Sequence, residues 1–267
     1  MYASVGSAPW AARGGALRPQ DRLQLLGQLM ISRLGQLPER LQARLGFGHA
    51  AHQLDLTAIR APDSAAAVCT VALVESLSSP ALYNHCLRTY VWGALLAQAG
   101  RIAFDEELFF VASLFHDIGL TSAHNCQDSS CACFAVEGAR AAAHYAVEFG
   151  WETERRERLA EAISLHLNVR VGLGQGAEAH LLHEGAALDV IGARLGEIDR
   201  KSIDSVLARY PRLDIKRELA AAIKEQARQR PHSRAAFLAR LGFIGMLRAT
   251  PLVDAPLGGA QGERLAN

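Results

Sequence analysis

The chain has almost no net charge and no long apolar run. Lys and Arg total 28 against 27 Asp and Glu, a formal charge of +1 over 267 residues. That balance gives no electrostatic footprint for nucleic acid or for an anionic membrane surface. No apolar stretch approaches the roughly 20 residues that span a bilayer. Neither nucleic acid nor membrane is therefore expected as a partner. Residues 1–19 hold Arg13 and Arg18 but no apolar segment, and do not read as a secretory signal. Cysteine is scarce and odd in number. Of Cys69, Cys86, Cys126, Cys131 and Cys133, three crowd into one stretch, which is no disulfide framework for a chain of this size. The default reading is a reducing cytoplasm. Alternating β-branched runs are also lacking, as are internal repeats, a Gly-rich phosphate loop and any composition shift that would mark a domain border.

What is present is helical. Half of the residues are hydrophobic, and Ala, Leu, Arg and Glu, good helix formers, dominate. The spacing predicts a helix over 21–36 with Leu23, Leu26, Met30 and Leu34 on its inward face. A second runs over 62–77, with Asp63 and Ser64 as cap candidates. Ser79-Pro80 supplies a cap and a first-turn proline for a helix to about residue 98. Asp105 caps a helix that reaches Phe115 and stops near Gly119. Further helices are expected over 135–149, 153–168, 178–195, 199–209, 214–228 and 233–248. The fold class is thus all-α. A flexible arm is expected over 1–20, one all-helical domain over 21–250, and a frayed tail over 251–267.

The sharpest local signal is Phe115-His116-Asp117-Ile118-Gly119. An imidazole and a carboxylate stand side by side at the end of an apolar helix, and neighbouring helical positions point about 100° apart, so one ion there reaches both. The alternative is a helix end with His116 on the dipole and Asp117 in water. Other helices add to the signal. His85 is in phase with Leu82, Thr89, Trp92 and Leu96. His166 follows Ile163 and Leu159 at helical spacing. Asp189 shares a stripe with Leu182, Gly185 and Gly192, and a carboxylate on such a face needs a partner.

The order His85, His116-Asp117, Asp189 resembles the HD superfamily of metal-dependent hydrolases. SPALYNHCLRTYVWG (79–93) and FDEELFFVASLFHDIGL (104–120) are similar to its cyanamide hydratase-like branch. So are CFAVEGA (133–139), AISLH (162–166) and ALDVIG (187–192). The resemblance covers about residues 60 to 250. It implies an HD-type helical bundle with an N-terminal helical extension, and His85, His116, Asp117 and Asp189 as ligands of one divalent transition metal. Zinc, iron, manganese or nickel suit such donors. It also implies a catalytic role for Asp117 and for His166, the latter as a pocket acid or base that also contacts substrate. Arg88, three residues past His85, either binds an anionic group or holds a carboxylate in place. Glu137 is a further substrate-binding candidate, against a solvated glutamate at a helix start. Two-metal members of the superfamily place an extra histidine where this chain has Phe134, so one metal is favoured over two.

The resemblance implies metal-activated water attacking a small-molecule substrate, with a nitrile- or cyanamide-like group favoured. A phosphoester or nucleotide phosphohydrolase is the alternative. A di-iron oxygenase or a non-catalytic ligand sensor on the same scaffold are rivals of other classes, and a homo-oligomer is allowed. His124, Cys126, Cys131 and Cys133 are read as free groups of a lid-like loop rather than a structural zinc site. His144 reads as a surface or packing residue. His49, His52, His180, His183 and His232 carry no usable signal.

Overall fold

Side-chain caps set many of the helix starts. The computed structural model describes residues 3–44, 54–125 and 132–254. Among them are twelve α-helices and no strand. These are α1 (Ala8–Ala11), α2 (Pro19–Arg44), α3 (Ala65–Leu77), α4 (Pro80–Gly100), α5 (Glu106–Phe115), α6 (Phe134–Glu148), α7 (Thr153–Leu165), α8 (Ala177–Ile191), α9 (Arg200–Arg209), α10 (Ile215–Gln229), α11 (Arg234–Arg240) and α12 (Phe243–Arg248). Ser64, Ser79, Asp105, Asp199 and Ser233 each accept a backbone N–H in the first turn that follows, satisfying one of the orphan donors of a helix start. The single helix expected over 233–248 is two, because Gly242 takes a left-handed φ of 89° between α11 and α12. No described helix is long and apolar enough to cross a membrane.

The centre of the bundle is α5, whose residues from Leu108 to Phe115 are all buried. It lies among α3, α4, α7 and α8. The tightest approach joins α4 to α8. A Cβ at Gly185 would strike the Thr89 carbonyl, and one at Gly93 would lie 2.8 Å from the Leu181 carbonyl. Gly185 thus serves the close helix contact that its stripe implied, whereas Gly192 ends α8 in a left-handed turn with φ 71°. Gly119 differs from its reading as a left-handed helix stop. It sits in the 3₁₀ turn Ile118–Leu120 at negative φ, and its missing side chain lets the Phe134 backbone abut the turn.

Two expectations about the N-terminal region are corrected. Residues 3–18, read as part of a loose arm, lie against the bundle. Val5 and Trp10 are fully buried with Leu25, Cys133, Phe134 and Val136. Trp10 Nε1 donates to Asp21 at 3.3 Å, Asn168 donates to the Val5 carbonyl at 2.7 Å, and the Leu17 N–H donates to the His232 carbonyl at 2.8 Å. Ala, Gly and Ser read as looseness, but here they let one tryptophan reach the core. On α2 the inward stripe is Asp21 and Leu25. Leu23 and Met30 are 69% and 61% exposed, because the helix docks through the residues that meet Trp10 and the segment before it.

Candidate metal centre and cavity

His85 stands in the middle of α4 and is buried. Its Nδ1 donates to Asp189 Oδ2 at 2.7 Å, which leaves the lone pair on Nε2. His116 caps α5, and its Nδ1 donates to the Ser113 carbonyl at 2.8 Å, again leaving Nε2 as an acceptor. The two Nε2 atoms face each other at 3.2 Å. Asp117 Oδ2 completes the group, 3.5 Å from His85 Nε2 and 3.4 Å from His116 Nε2. The ligand atoms of the three lie within 4.8 Å of one another. Two imidazole nitrogens and a carboxylate oxygen, buried and converging, require a positive charge at their centre, from a proton or a metal ion. A divalent cation fits this donor set.

The electrostatics agree. Burial works against a charge on His116, but the Asp117 carboxylate prevails and pushes its pKa up to about 10. His85 is likewise raised, since Asp117 and Asp189 outweigh burial. Asp117 is held well below the usual carboxylate range, because contacts with His116, His166 and His85 outweigh its desolvation.

His166 caps α7 on the far side of Asp117. Its Nδ1 donates to the Ile163 carbonyl at 2.6 Å, and its Nε2 lies 3.5 Å from Asp117 Oδ1. Burial dominates here and pushes its pKa down to about 4 despite Asp117, so the ring is neutral near pH 7 with its Nε2 lone pair available. The Phe134 ring lies beside it, centroids 6.0 Å apart.

Asp189 departs from its expected place among the ligands. Its carboxylate is on the Nδ1 side of His85, away from the converging donors. Oδ1 accepts from Arg88 Nε at 2.8 Å and Trp92 Nε1 at 2.9 Å, and Oδ2 accepts from Arg88 Nη2 at 2.9 Å as well as from His85. Arg212 lies 3.2 Å from Oδ1. Arg88 therefore takes the second of its two readings. It is fully buried and clamps Asp189, its Nη1 donates to the Tyr210 and Pro211 carbonyls, and it does not line the cavity. Glu137 points away too, paired with Arg140 at 2.9 Å on the α6 surface. His144 is exposed on α6.

Cys126 and Cys131 lie outside the described residues, as do His49 and His52. Cys133 is no lid residue. It is buried under the N-terminal segment, where Arg234 Nε and Nη2 donate to its Sγ at 3.4 and 3.2 Å.

The cluster opens into a cavity of about 930 Å³, lined at one end by His85, His116, Asp117 and His166. His183, which the sequence left unassigned, also lines it, and its Nδ1 donates to the His166 carbonyl at 2.9 Å. The signal was a second stripe on α8. His183, Ala186, Ala187 and Val190 recur at helical spacing and all face the cavity. Of the arginines that line it, Arg194 is bound to Glu197 through both carboxylate oxygens and lies 3.4 Å from Glu184, while Arg170 is exposed.

Compared with known families, residues 82–225 match the model of the HD domain, more than half of the chain and a span that includes His85, His116, Asp117, His166 and Asp189. No curated protein matches the chain.

Proposed function

The chain belongs to the HD domain family, which commonly comprises metal-dependent hydrolases, and from that premise we propose a single-metal hydrolase or hydratase that adds water to a small neutral group of the nitrile class. The observation that carries this reading is the pair of imidazole Nε2 lone pairs facing each other at 3.2 Å beside Asp117. A divalent ion bound there supplies Lewis acidity and lowers the pKa of a water toward neutrality. The chain's own residues do the rest. His85 and His116 would hold the ion through Nε2, and Asp117 through its carboxylate. Asp117 Oδ1 is turned to His166, whose neutral ring accepts a proton at Nε2 and returns it to a nascent nitrogen. Asp189 fixes the tautomer and orientation of His85 from behind. Phe134 lies beside His166, at the position where the resemblance to two-metal members of the superfamily implies a further histidine.

The neutral group is favoured over a phosphoester by where the cations are. Among the described residues that line the cavity there is no lysine. Arg88 is spent on Asp189, and Arg194 on Glu197 and Glu184. A phosphate would find no buried arginine lining the cavity beside the metal, only exposed Arg170 besides the paired Arg194, whereas bidentate arginine is the common partner.

The test is metal analysis of protein purified without chelators, paired with assays on cyanamide, a simple nitrile and p-nitrophenyl phosphate. About one ion per chain is expected, with hydration abolished by chelation and restored by metal. Phosphate release faster than hydration, or two ions per chain among these helices, overturns the proposal.

A further inference from the structure

The cavity is far larger than the chemistry needs. A water claims about 30 Å³ of liquid volume, so a ligand the size of cyanamide would leave most of the 930 Å³ empty of substrate. That volume is at the upper end of small-molecule sites, about 300–1,000 Å³. Apart from the metal cluster and His166, its polar lining consists of Asn168, Arg170, His183, Glu184, Arg194 and Glu197. Leu29 of α2, Leu219 and Ile223 of α10, Leu238 of α11, and Phe243 and Leu247 of α12 form the opposite wall. Water against such a wall finds few hydrogen-bond partners, and an apolar body displaces it favourably.

The origin of the wall matters as much as its chemistry. His85, His116, Asp117 and His166 all fall within the family match at 82–225. Leu29 precedes that match, and Leu238, Phe243 and Leu247 follow it. The reacting groups belong to the shared core, while much of the apolar wall is supplied by this chain's own flanking helices.

We infer that the group attacked at the metal end is carried on a bulky apolar body, an alkyl chain or ring system, seated against α10, α11, α12 and the cavity side of α2. The inference names a substrate class for the centre and rests on reading that centre as water-activating. Continuity with the metal end selects a small molecule as the occupant, because any body seated on this wall reaches the cluster without leaving the cavity.

The experiment uses the metal-loaded full chain and a series of straight-chain nitriles from acetonitrile to decanenitrile, with unreactive alkanols of matched length. Binding is read by calorimetry and turnover by amide release. Affinity is expected to rise about three- to fourfold per methylene in both series until the wall is covered, and kcat/KM of the nitriles is expected to rise with it. Leu238→Gln and Phe243→Gln, at half-buried positions, should keep metal and fold but flatten that rise at the long end. Affinity independent of length overturns the inference, and so does an unchanged slope in both variants. Alkanol and nitrile binding that climbs with length, with no nitrile hydrated, overturns the proposed reaction and leaves the apolar seat standing. Hydration fastest for acetonitrile with no gain in binding along the series does the reverse.

Discussion

Asp189 accepts from Arg88, Trp92 and His85 at 2.7–2.9 Å, so a direct bond to a cation would require it to release partners it already holds. Its substitution separates two roles. For a residue that orients a ligand histidine, Asp189→Asn should weaken metal affinity about 10–100-fold while leaving about one ion per chain at saturation. Chelator competition measures this, and loss of all binding at saturating metal would restore Asp189 as a ligand. The same change breaks a buried ion pair with Arg88, and a stability loss of about 3–5 kcal/mol is expected in denaturant unfolding. His166→Ala should behave differently. The ring has no place among the three converging donors, so metal content and melting temperature should hold while turnover drops about 10²–10⁴-fold. A drop in stability with unchanged turnover per folded molecule would make it a packing histidine. At this scale the sequence displayed the residue types but not their partners. His85 and Arg88, three apart on α4, both face Asp189. Spacing alone places them on one face without saying which of them looks into the cavity and which looks behind it.

Among the elements, capping residues were the most legible feature. Ser79 and Asp105 mark starts that the structure reproduces to within about one residue, because a cap is a local hydrogen bond that needs no tertiary partner. The face of α2 was misread for the opposite reason. Leu23, Leu26 and Met30 form a good apolar stripe, yet the docked stripe is decided by Trp10, which belongs to another segment. Small residues are where sequence and packing meet most directly. Gly185→Ala would push a methyl into the Thr89 carbonyl and part α4 from α8, displacing Asp189 from His85. A loss of about 1–3 kcal/mol is expected from such overpacking, together with weaker metal binding. Gly245→Ala is the control, since a Cβ on α12 there meets nothing within 4 Å, and a gain of about 0.5–1 kcal/mol is expected from the helix preference alone. Equal melting temperatures for the two variants would show that the α4–α8 contact yields at no cost.

For the whole molecule, the bundle places a buried carboxylate where only a cation satisfies it, and proton and metal compete for that place. With its pKa raised to about 10 by Asp117, His116 carries a proton in the metal-free cluster throughout the neutral range. That proton must leave before Nε2 can bind an ion. The sign follows. The raised pKa favours the protonated native state below the unfolded value near 6.5, and this contribution fades as pH climbs through about 10. Metal binding runs the other way, since it releases protons. Apparent affinity should therefore strengthen about tenfold per pH unit for each proton displaced, across the window below pH 10. Chelator-buffered titrations at pH 6, 7 and 8 measure the slope. Differential scanning calorimetry supplies an independent reading, because an ion present at about 100 times its Kd adds about 2.7 kcal/mol to the folded state. The metal-induced rise in melting temperature should thus be larger at pH 8 than at pH 6 at fixed total metal. A flat affinity between pH 6 and 8 would mean that no proton is displaced, and that His116 holds none at Nε2 in the metal-free cluster.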